Sequence, residues 1–317
     1  MDVGHCILDG NADAVEFCPH DSFYNVLAAS TYVLQEGDCP SRSGCITLFD
    51  VDADGGRLEL IQKVETAGIF DIKWSPELLQ NPARPLLAQA DADGCVKIYS
   101  LQCSDSDDSE MRAVQEWMEQ GYEKWSSSCP NGKHTTLRSG LLRFDIQQPM
   151  LVYTGSDDCK FCCWDLRDGP SNLVFQNTKV HKMGICCIAK SPFDPNTLLT
   201  GSYDECLRVW DVRSTSKPVN ESSICLGGGV WRIKHHPSIQ GLVLTACMHN
   251  GFAIVKFEGD QADVVETYEK HGSLAYGADW QRGDVIVGGR RKSSAIATCS
   301  FYDRLLRVWK PEGDVFI

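Results

Sequence analysis

The sequence predicts an all-β protein built from repeated four-stranded units, and two recurring signals support that prediction. The first signal is a hairpin typified by residues 200–211, TGSYDECLRVWD. A small-residue strand leads to a tight turn at Asp204, and an alternating strand follows and ends on Trp210-Asp211. Such a strand pair cannot bury both faces alone, so it has to stack against copies of itself.

Further copies of the hairpin are found by the six-residue spacing between turn aspartate and terminal aromatic residue. Asp158 precedes Trp164 by this spacing, and Asp303 precedes Trp309. Asp93 precedes Tyr99 in the same way. The second signal is an apolar strand closing on proline ahead of a hairpin, as in AVEFCP, IFDIKWSP, GICCIAKSP and VWRIKHHP.

The two signals recur in phase. Successive intervals of 50, 65, 46, 45 and 54 residues separate the terminal positions Phe49, Tyr99, Trp164, Trp210, Val255 and Trp309. WD-repeat β-propellers use about 40–45 residues per blade, so the pattern predicts that fold class. Residues 1–317 are expected to form a single β-propeller domain.

Six units are recognisable along the chain. They cover residues 1–50, 67–101, 138–168, 181–213, 227–258 and 271–309. Residues 102–137 break the period with the acidic run SDSDDSE, and the ring is therefore six- or seven-bladed with a defect in the third position. The N-terminal residues are expected to pair with the final blade, since an open edge leaves backbone groups unpaired.

Composition limits the classes of partner. The chain has 30 Lys and Arg against 43 Asp and Glu, a formal net charge of −13. Non-specific binding to nucleic acid or to anionic membranes needs a basic face, so neither is expected. No run approaches the eighteen or so apolar residues of a membrane span. We expect a cytoplasmic monomer without a cofactor.

The sixteen cysteines are spread through predicted strands and include the adjacent pairs Cys162-Cys163 and Cys186-Cys187. Neighbouring residues on a strand point to opposite faces, so these cysteines are predicted to be small buried residues in a reducing compartment. Cys159, Cys162 and Cys163 have CxxC spacing, but they lack a second pair and the loop geometry of a zinc site. No metal site is predicted.

Most polar repeat residues are predicted to be structural. In a WD blade a histidine before the first strand, a Ser or Thr, the turn Asp and the Trp form a buried hydrogen-bond network, because buried polar groups must be paired. Two sets fit this pattern: His181, Thr200, Asp204 and Trp210, and His271, Thr298, Asp303 and Trp309.

Particular segments resemble one family of WD-repeat proteins, the diphthine methylesterases. They include LAASTY, LLAQADADG, LVYTGSDD, CCWDLRD, LLTGSYDECLRVWDVR and, less generic for the repeat, GGGVWRIKHHP, LTACMHNGF, YGADW and ATCSFYDRLLRVW. The resemblance covers most of the chain outside residues 102–137. It implies a seven-bladed propeller that acts in diphthamide synthesis. The implied reaction is hydrolysis of the methyl ester of methylated diphthine on elongation factor 2, with release of methanol.

Candidate catalytic residues are expected where one repeat unit differs from the other units. Laying LTACMHNGFAIV over LTGSYDECLRVW puts His249 where Asp204 stands, Val255 where Trp210 stands and Leu226 where His181 stands. His249 is thereby released from the structural network, and an imidazole can act as general base toward a water that attacks an ester. The alternative is a turn histidine without a chemical role.

Five further candidate positions accompany His249, and Cys247 is considered as a nucleophile. Gly228 and Gly229 could offer backbone N–H groups to an oxyanion, although a tight loop is the commoner meaning of a glycine run. Arg232 and Asp71 occupy equivalent positions on two inner strands and could orient the charged substrate or pair with each other. Tyr32 stands at the turn position of the first unit. Cys247 shares the parity of His249, but a buried thiol is the expected outcome.

A second hypothesis comes from a different class of protein. Many WD-repeat propellers only bind, and the chain could be a non-catalytic scaffold for a trafficking or ubiquitin-ligase complex. No G-x-S-x-G elbow is present, so a standard serine-esterase layout is unsupported.

Overall fold

The computed structural model describes most of the chain as β-structure. The described residues are 1–37, 40–76, 85–103, 109–118, 141–145, 148–169, 172–259, 261–282, 286–287, 290–291, 295–312 and 315. They separate into two compact units, one made of residues 1–120 and 270–317 and the other of residues 121–269. Within these ranges, six sheets of four antiparallel strands are present, three in each unit.

The first unit contains the N-terminal and C-terminal parts of the chain. Its strands are β1 (Asp2–Ile7), β2 (Asn11–Phe17), β3 (Val26–Gln35), β4 (Ser41–Asp52), β5 (Arg57–Ala67), β6 (Ile69–Trp74), β7 (Leu86–Asp91), β8 (Cys95–Cys103), β9 (Ser109–Met118), β22 (Ala275–Trp280), β23 (Ile286–Val287), β24 (Arg290–Arg291), β25 (Ile296–Ser300) and β26 (Leu305–Trp309). Sheet order is β2-β3-β4-β5, β6-β7-β8-β9 and β1-β26-β25-β22, with β23-β24 as a separate pair.

The second unit holds the middle of the chain. Its strands are β10 (Leu141–Phe144), β11 (Leu151–Gly155), β12 (Phe161–Asp165), β13 (Leu173–Asn177), β14 (Ile185–Lys190), β15 (Thr197–Ser202), β16 (Cys206–Asp211), β17 (Val219–Cys225), β18 (Arg232–His235), β19 (Leu242–Ala246), β20 (Phe252–Glu258) and β21 (Gln261–Tyr268). Each sheet is a consecutive four-strand meander, β10 to β13, β14 to β17 and β18 to β21. Two short 3-10 turns, Asp21–Phe23 and Leu166–Asp168, complete the described elements.

The predicted fold class is confirmed. The apolar lead strands are the first strands β2, β6, β14 and β18, and the TGSYDECLRVWD segment is the β15–β16 hairpin. Trp210 is fully buried, and its ring lies 4.8 Å from that of Phe161 in the neighbouring sheet. The repeat therefore stacks through its terminal tryptophan, because neither face of an isolated hairpin can be covered by its own side chains.

The expected closure at the N-terminus is also confirmed. β1 pairs antiparallel with β26 and becomes the outer strand of the sheet that contains β25 and β22. The backbone N–H of Lys310 donates to the carbonyl of Met1 at 2.8 Å. The first residues thus cover the edge of the last hairpin, which would otherwise present unpaired donors and acceptors.

Two predictions about local structure were wrong. Residues 102–137 were expected to be irregular, yet β8 continues to Cys103 and residues 109–118 form β9, the outer strand of the second sheet. Residues 119–140 lie outside the described residues, so the blade count stays a prediction. Tyr32 was placed at a turn, but β3 runs on to Gln35 and pairs it with Ser41.

The described part of the chain contains no helix of the length and apolar character that a membrane span requires.

Candidate functional site

The network around His181 is structural, as the sequence predicted. Trp210 Nε1–H donates to Thr200 Oγ1 at 2.8 Å, and His181 Nε2 lies 3.3 Å from the same oxygen. The other ring nitrogen, Nδ1, faces the Arg208 guanidinium at 3.2 Å, which in turn forms an ion pair with Asp204. Because Arg208 can only donate, Nδ1 is the acceptor and the ring is neutral. Burial and the charge of Arg208 lower the pKa of His181 to about 4.

The network around His271, in the other unit, has a different pattern of hydrogen bonds. His271 Nδ1 lies 2.6 Å from Ser300 Oγ, which donates to Asp303 Oδ1 at 2.5 Å. His271 Nε2 lies 2.9 Å from Thr298 Oγ1. This Ser-His-Asp arrangement resembles a catalytic triad on paper, but Ser300 and Thr298 are fully buried. Burial lowers the pKa of His271 to about 4, which fits a neutral structural histidine.

The sheet made of β18 to β21 departs from this network. Thr245 occupies the place of Thr200, yet its hydroxyl donates to the Ala253 carbonyl at 3.0 Å. Val255 stands in the tryptophan position and is fully buried. The Asn250 side-chain amide instead donates to the carbonyl of Leu226 at 2.6 Å. One hydrogen bond, from the Asn250 side-chain amide on the turn to the preceding loop, thus replaces the histidine-centred network.

His249 is exposed on the turn between β19 and β20. Its side chain makes no hydrogen bond to any other described residue, in contrast to the paired Asp204. The turn itself is unusual, because Met248 has φ 40° and Gly251 has φ 67°, whereas the Asp204 hairpin has its left-handed residue at Glu205. Non-glycine residues at positive φ are uncommon and concentrate at functional sites. The alignment of the two hairpins predicted that His249 lies outside the structural network, and its exposed side chain makes none of the hydrogen bonds that Asp204 makes.

The glycine run 227–229 packs directly on the turn that carries His249. A Cβ on Gly228 would lie 2.1 Å from the Cys247 carbonyl oxygen and 3.0 Å from the Asn250 nitrogen. Gly228 and Gly229 are buried, and their N–H groups donate to no other described residue. The close approach explains the requirement for glycine at 228. It also leaves backbone donors beside the turn, which is the arrangement that an oxyanion needs.

Arg232 opens β18 and pairs in register with Ala246 of β19. The backbone N–H of its neighbour Trp231 donates to the Ala246 carbonyl at 2.8 Å. The charge of Arg232 also acts on Cys187 of β14, where it partly offsets the effect of burial, which raises the pKa of that thiol to about 12. Arg232 therefore lies on β18, the first strand of the sheet that carries His249. Its partner on β19, Ala246, stands three positions before His249 in the sequence.

Asp71 and Tyr32 belong to the other compact unit. Asp71 pairs with Ala90 at the start of β6, which is the equivalent of the Arg232 position. Its Oδ1 accepts from the N–H of Ile72 at 3.1 Å and lies 4.0 Å from Lys73 Nζ. Tyr32 accepts from Arg42 Nε at 2.9 Å, and its ring stacks on Phe70 at 5.6 Å. Both side chains have local partners within their own unit.

Cysteine nucleophiles and a metal centre gain no support. Cys247 is fully buried beside Thr245, and burial raises its pKa to about 11, as expected for an inert thiol. Cys162 and Cys163 are buried and Cys159 is partly exposed. No group of His, Cys, Asp or Glu side chains with metal-ligand geometry exists within the described ranges.

Two aromatic residues beside this site were missed at the sequence level. The rings of Tyr203 and Trp231 lie 6.1 Å apart, and a Cβ on Gly229 would meet Tyr203 at 3.4 Å. Tyr203 precedes the turn aspartate and was considered only as part of the repeat. Trp231 lies between the glycine run and Arg232 in the sequence. Its position between two sets of candidate site residues is the signal that could have identified it.

Taken together, the second unit holds an exposed imidazole, two backbone donors, a guanidinium and an aromatic pair around one end of β18 and β19. An imidazole can remove a proton from water, and backbone N–H groups can stabilise the oxyanion that forms when water attacks a carbonyl. These are the kinds of group that hydrolysis of an ester or acyl bond by general-base catalysis uses.

The family model described as "WD domain, G-beta repeat" matches residues 174–211, the segment that contains the β15–β16 hairpin. Solved structures with the same fold include a chain of the "Crystal Structure of Mitotic Checkpoint Complex", with TM-score 0.63 and 13% identity over 98% of this chain and 92% of that one. Sqt1 from Chaetomium thermophilum matches with TM-score 0.59 and 12% identity over 98% and 99% of the two chains. At such identities the likeness establishes the fold alone.

Curated relatives share more sequence. "Diphthine methyltransferase" of Mus musculus is 30% identical over 85% of this chain and 67% of its own length. The protein of the same name from Homo sapiens is 29% identical over 85% and 72%. "Diphthine methyltransferase homolog" of Dictyostelium discoideum is 27% identical over 96% and 97%.

Proposed function

The chain belongs to the diphthine methyltransferase family, and from this premise we propose that it hydrolyses the methyl ester of methylated diphthine on elongation factor 2. A role in diphthamide biosynthesis follows from the names of the relatives. The esterase direction is our own proposal, since the relatives are named as methyltransferases. Elongation factor 2 as the substrate and the cytoplasm as the location belong to the same proposal.

One observation carries the esterase direction. His249 is exposed and makes no hydrogen bond to a described residue, and Gly228, whose N–H donates to no described residue, packs on Cys247 and Asn250 of the same turn. Transfer of a methyl group from a donor to a carboxylate needs neither a base for water nor donors for an oxyanion. Hydrolysis of the ester needs both.

The reaction can be written through these residues. His249 takes a proton from water as the water oxygen bonds to the ester carbonyl carbon, and the N–H groups of Gly228 and Gly229 receive the developing negative charge. The carbonyl re-forms, the bond to the methoxy oxygen breaks, and the imidazolium returns its proton to give methanol. Arg232 orients the charged substrate from β18. Asp71 and Tyr32 stay proposed substrate-binding residues.

The experiment compares both directions of chemistry on one protein substrate. Purified protein is incubated with elongation factor 2 carrying methylated diphthine, and methanol and the mass of the modified residue are measured. Unmethylated elongation factor 2 is incubated in parallel with an isotope-labelled methyl donor. We expect methanol release and the mass of the free acid in the first reaction. Methyl incorporation without methanol release would refute the esterase direction.

The scaffold hypothesis is not favoured, because the relatives that cover most of this chain share an enzyme name. Recovery of a stable multi-subunit complex without turnover of either substrate would be needed to revive it.

A further inference from the structure

A pair of cysteines at the end of the β16–β17 ladder is placed for a reaction with each other. Cys206 and Cys225 are cross-strand neighbours in register, and their Sγ atoms lie 2.6 Å apart. Both are free thiols. No role in the proposed hydrolysis is assigned to either residue, so the pair is considered on its own.

The backbone around this pair has the geometry that a cross-strand disulfide requires. The Leu226 N–H donates to the Glu205 carbonyl at 2.8 Å, which is the bond that flanks a non-hydrogen-bonded pair in an antiparallel ladder. The Cys206 N–H donates instead to its own turn, to Asp204 Oδ1 at 3.2 Å. Cα atoms of a non-hydrogen-bonded pair lie about 4.5 Å apart, within the range that a disulfide spans without backbone movement.

Cys225 is the more accessible residue of the pair, and Cys206 shares its partial exposure with Cys6 and Cys159. Cys225 is exposed and Cys206 is partly exposed, whereas the adjacent pairs Cys162-Cys163 and Cys186-Cys187 are buried. Residues adjacent along a strand also point to opposite faces and cannot easily bond to each other. Burial and the neighbouring thiol raise the pKa of Cys206 to about 12. Cys225 is therefore the thiol that an external oxidant meets first.

We propose that Cys206 and Cys225 form a redox-active dithiol that hydrogen peroxide converts into a disulfide. The thiolate sulfur of Cys225 attacks one peroxide oxygen, the O–O bond breaks, and the products are a sulfenic acid and, after protonation, water. The Cys206 sulfur then attacks the Cys225 sulfur, the S–O bond breaks, and the departing oxygen leaves as a second water with the proton of Cys206. Two thiols and one peroxide thus give one disulfide and two waters.

The bond would act on the glycine run next to it. Cys225 is followed directly by Leu226, whose carbonyl is held by Asn250, and by residues 227–229 that pack on the His249 turn. A disulfide fixes the start of this loop to the Asp204 hairpin. Amide hydrogen exchange at residues 227–229 should therefore slow after oxidation, whichever reaction the protein catalyses.

The test treats the folded protein with a small excess of hydrogen peroxide, blocks the remaining thiols and maps the peptides by mass spectrometry. We expect the Cys206 and Cys225 peptides to be joined, with a mass lower by two hydrogen atoms and reversal by a dithiol reductant. Cys225→Ser should abolish the link. Cys206→Ser should leave Cys225 as a sulfenic acid that dimedone traps.

The matched control is Cys159→Ser, which removes a partly exposed thiol in the same unit and should leave the link intact. Circular dichroism of each variant checks that the fold is kept. The proposal is overturned if the folded wild-type protein yields no joined peptide while Cys225 remains open to alkylation. It is also overturned if Cys206 and Cys225 are joined no more often than other cysteine pairs. Neither readout depends on esterase activity.

Discussion

At the scale of single residues, His249 and Asp204 have the same place in their hairpins and opposite surroundings. The side chain of Asp204 is only 6% exposed, and it is bound by Arg208 and by the N–H groups of Lys182 and Cys206. His249 projects from its turn without a described partner. A side chain that contributes nothing to packing can be replaced with little effect on folding, so its removal tests chemistry rather than stability.

His249→Ala should therefore keep the fold and lose the proposed activity. General-base catalysis contributes roughly 10²–10⁴-fold, and we expect methanol release from methylated elongation factor 2 to fall by that factor. His5→Ala is the matched control, because His5 is another exposed histidine, on β1 in the other unit. Wild-type turnover by a folded His249→Ala protein would exclude the imidazole from the mechanism.

At the scale of elements, the glycine run illustrates what a sequence can and cannot indicate. Three consecutive glycines predict a tight loop, and the position of Leu226 in the alignment predicts that the loop has lost its histidine. The 2.1 Å approach of a Gly228 Cβ to the Cys247 carbonyl is a tertiary contact that no local pattern encodes. The continuation of β3 past Tyr32 was missed for the same reason, since its partner residues follow a polar loop.

Gly228→Ala should destabilise the protein because the added methyl group meets backbone rather than a flexible side chain. Overpacking of this kind costs about 1–3 kcal/mol, and urea unfolding measures the difference. Gly37→Ala is the control, since nothing lies within 4 Å of a Cβ at that exposed position. Equal midpoints for the two variants would contradict the close approach.

At the scale of the whole molecule, the repeat period was the feature most readable from sequence. Aspartate-to-aromatic spacing located four of the six hairpins in the described sheets, because the packed aromatic residue and its turn are local requirements. The β19–β20 hairpin was located by alignment, and the Phe49-Asp50 pair marked the end of the β3–β4 hairpin. The β9 strand was not predicted, because its sequence SEMRAVQEWM is polar and shows only weak alternation of apolar and polar residues. An outer strand is specified mainly by pairing with β8, which its own residues do not reveal.

Each compact unit contains a histidine whose pKa is lowered by burial, His181 in one and His271 in the other, and this predicts a shared sensitivity to acid. Burial lowers the pKa of His181 and of His271 from the usual 6.5 to about 4. Above pH 6.5 the ring is neutral in folded and unfolded chains alike, so the full stability is present. As the pH falls from 6.5 toward 4, the unfolded chain binds protons that the folded protein does not, and stability is lost. Each shift corresponds to about 3 kcal/mol at most.

Urea unfolding at pH values between 7 and 4 measures this loss of stability. Asp204 contributes in a separate window, because hydrogen bonds from Arg208 and Lys182 outweigh burial and lower the pKa of its carboxyl, so its contribution is lost only below pH 3.8. His181→Gln should be less stable at pH 7 and show a shallower decline between pH 6.5 and pH 4, whereas the exposed-site variant His5→Gln should keep the wild-type slope. If the decline in stability between pH 6.5 and pH 4 were as steep in His181→Gln as in the wild type, the His181 ring would gain its proton equally in the folded and unfolded chains. That outcome would contradict the assignment of Nδ1 as an acceptor from Arg208, because a protonated Nδ1 can only donate.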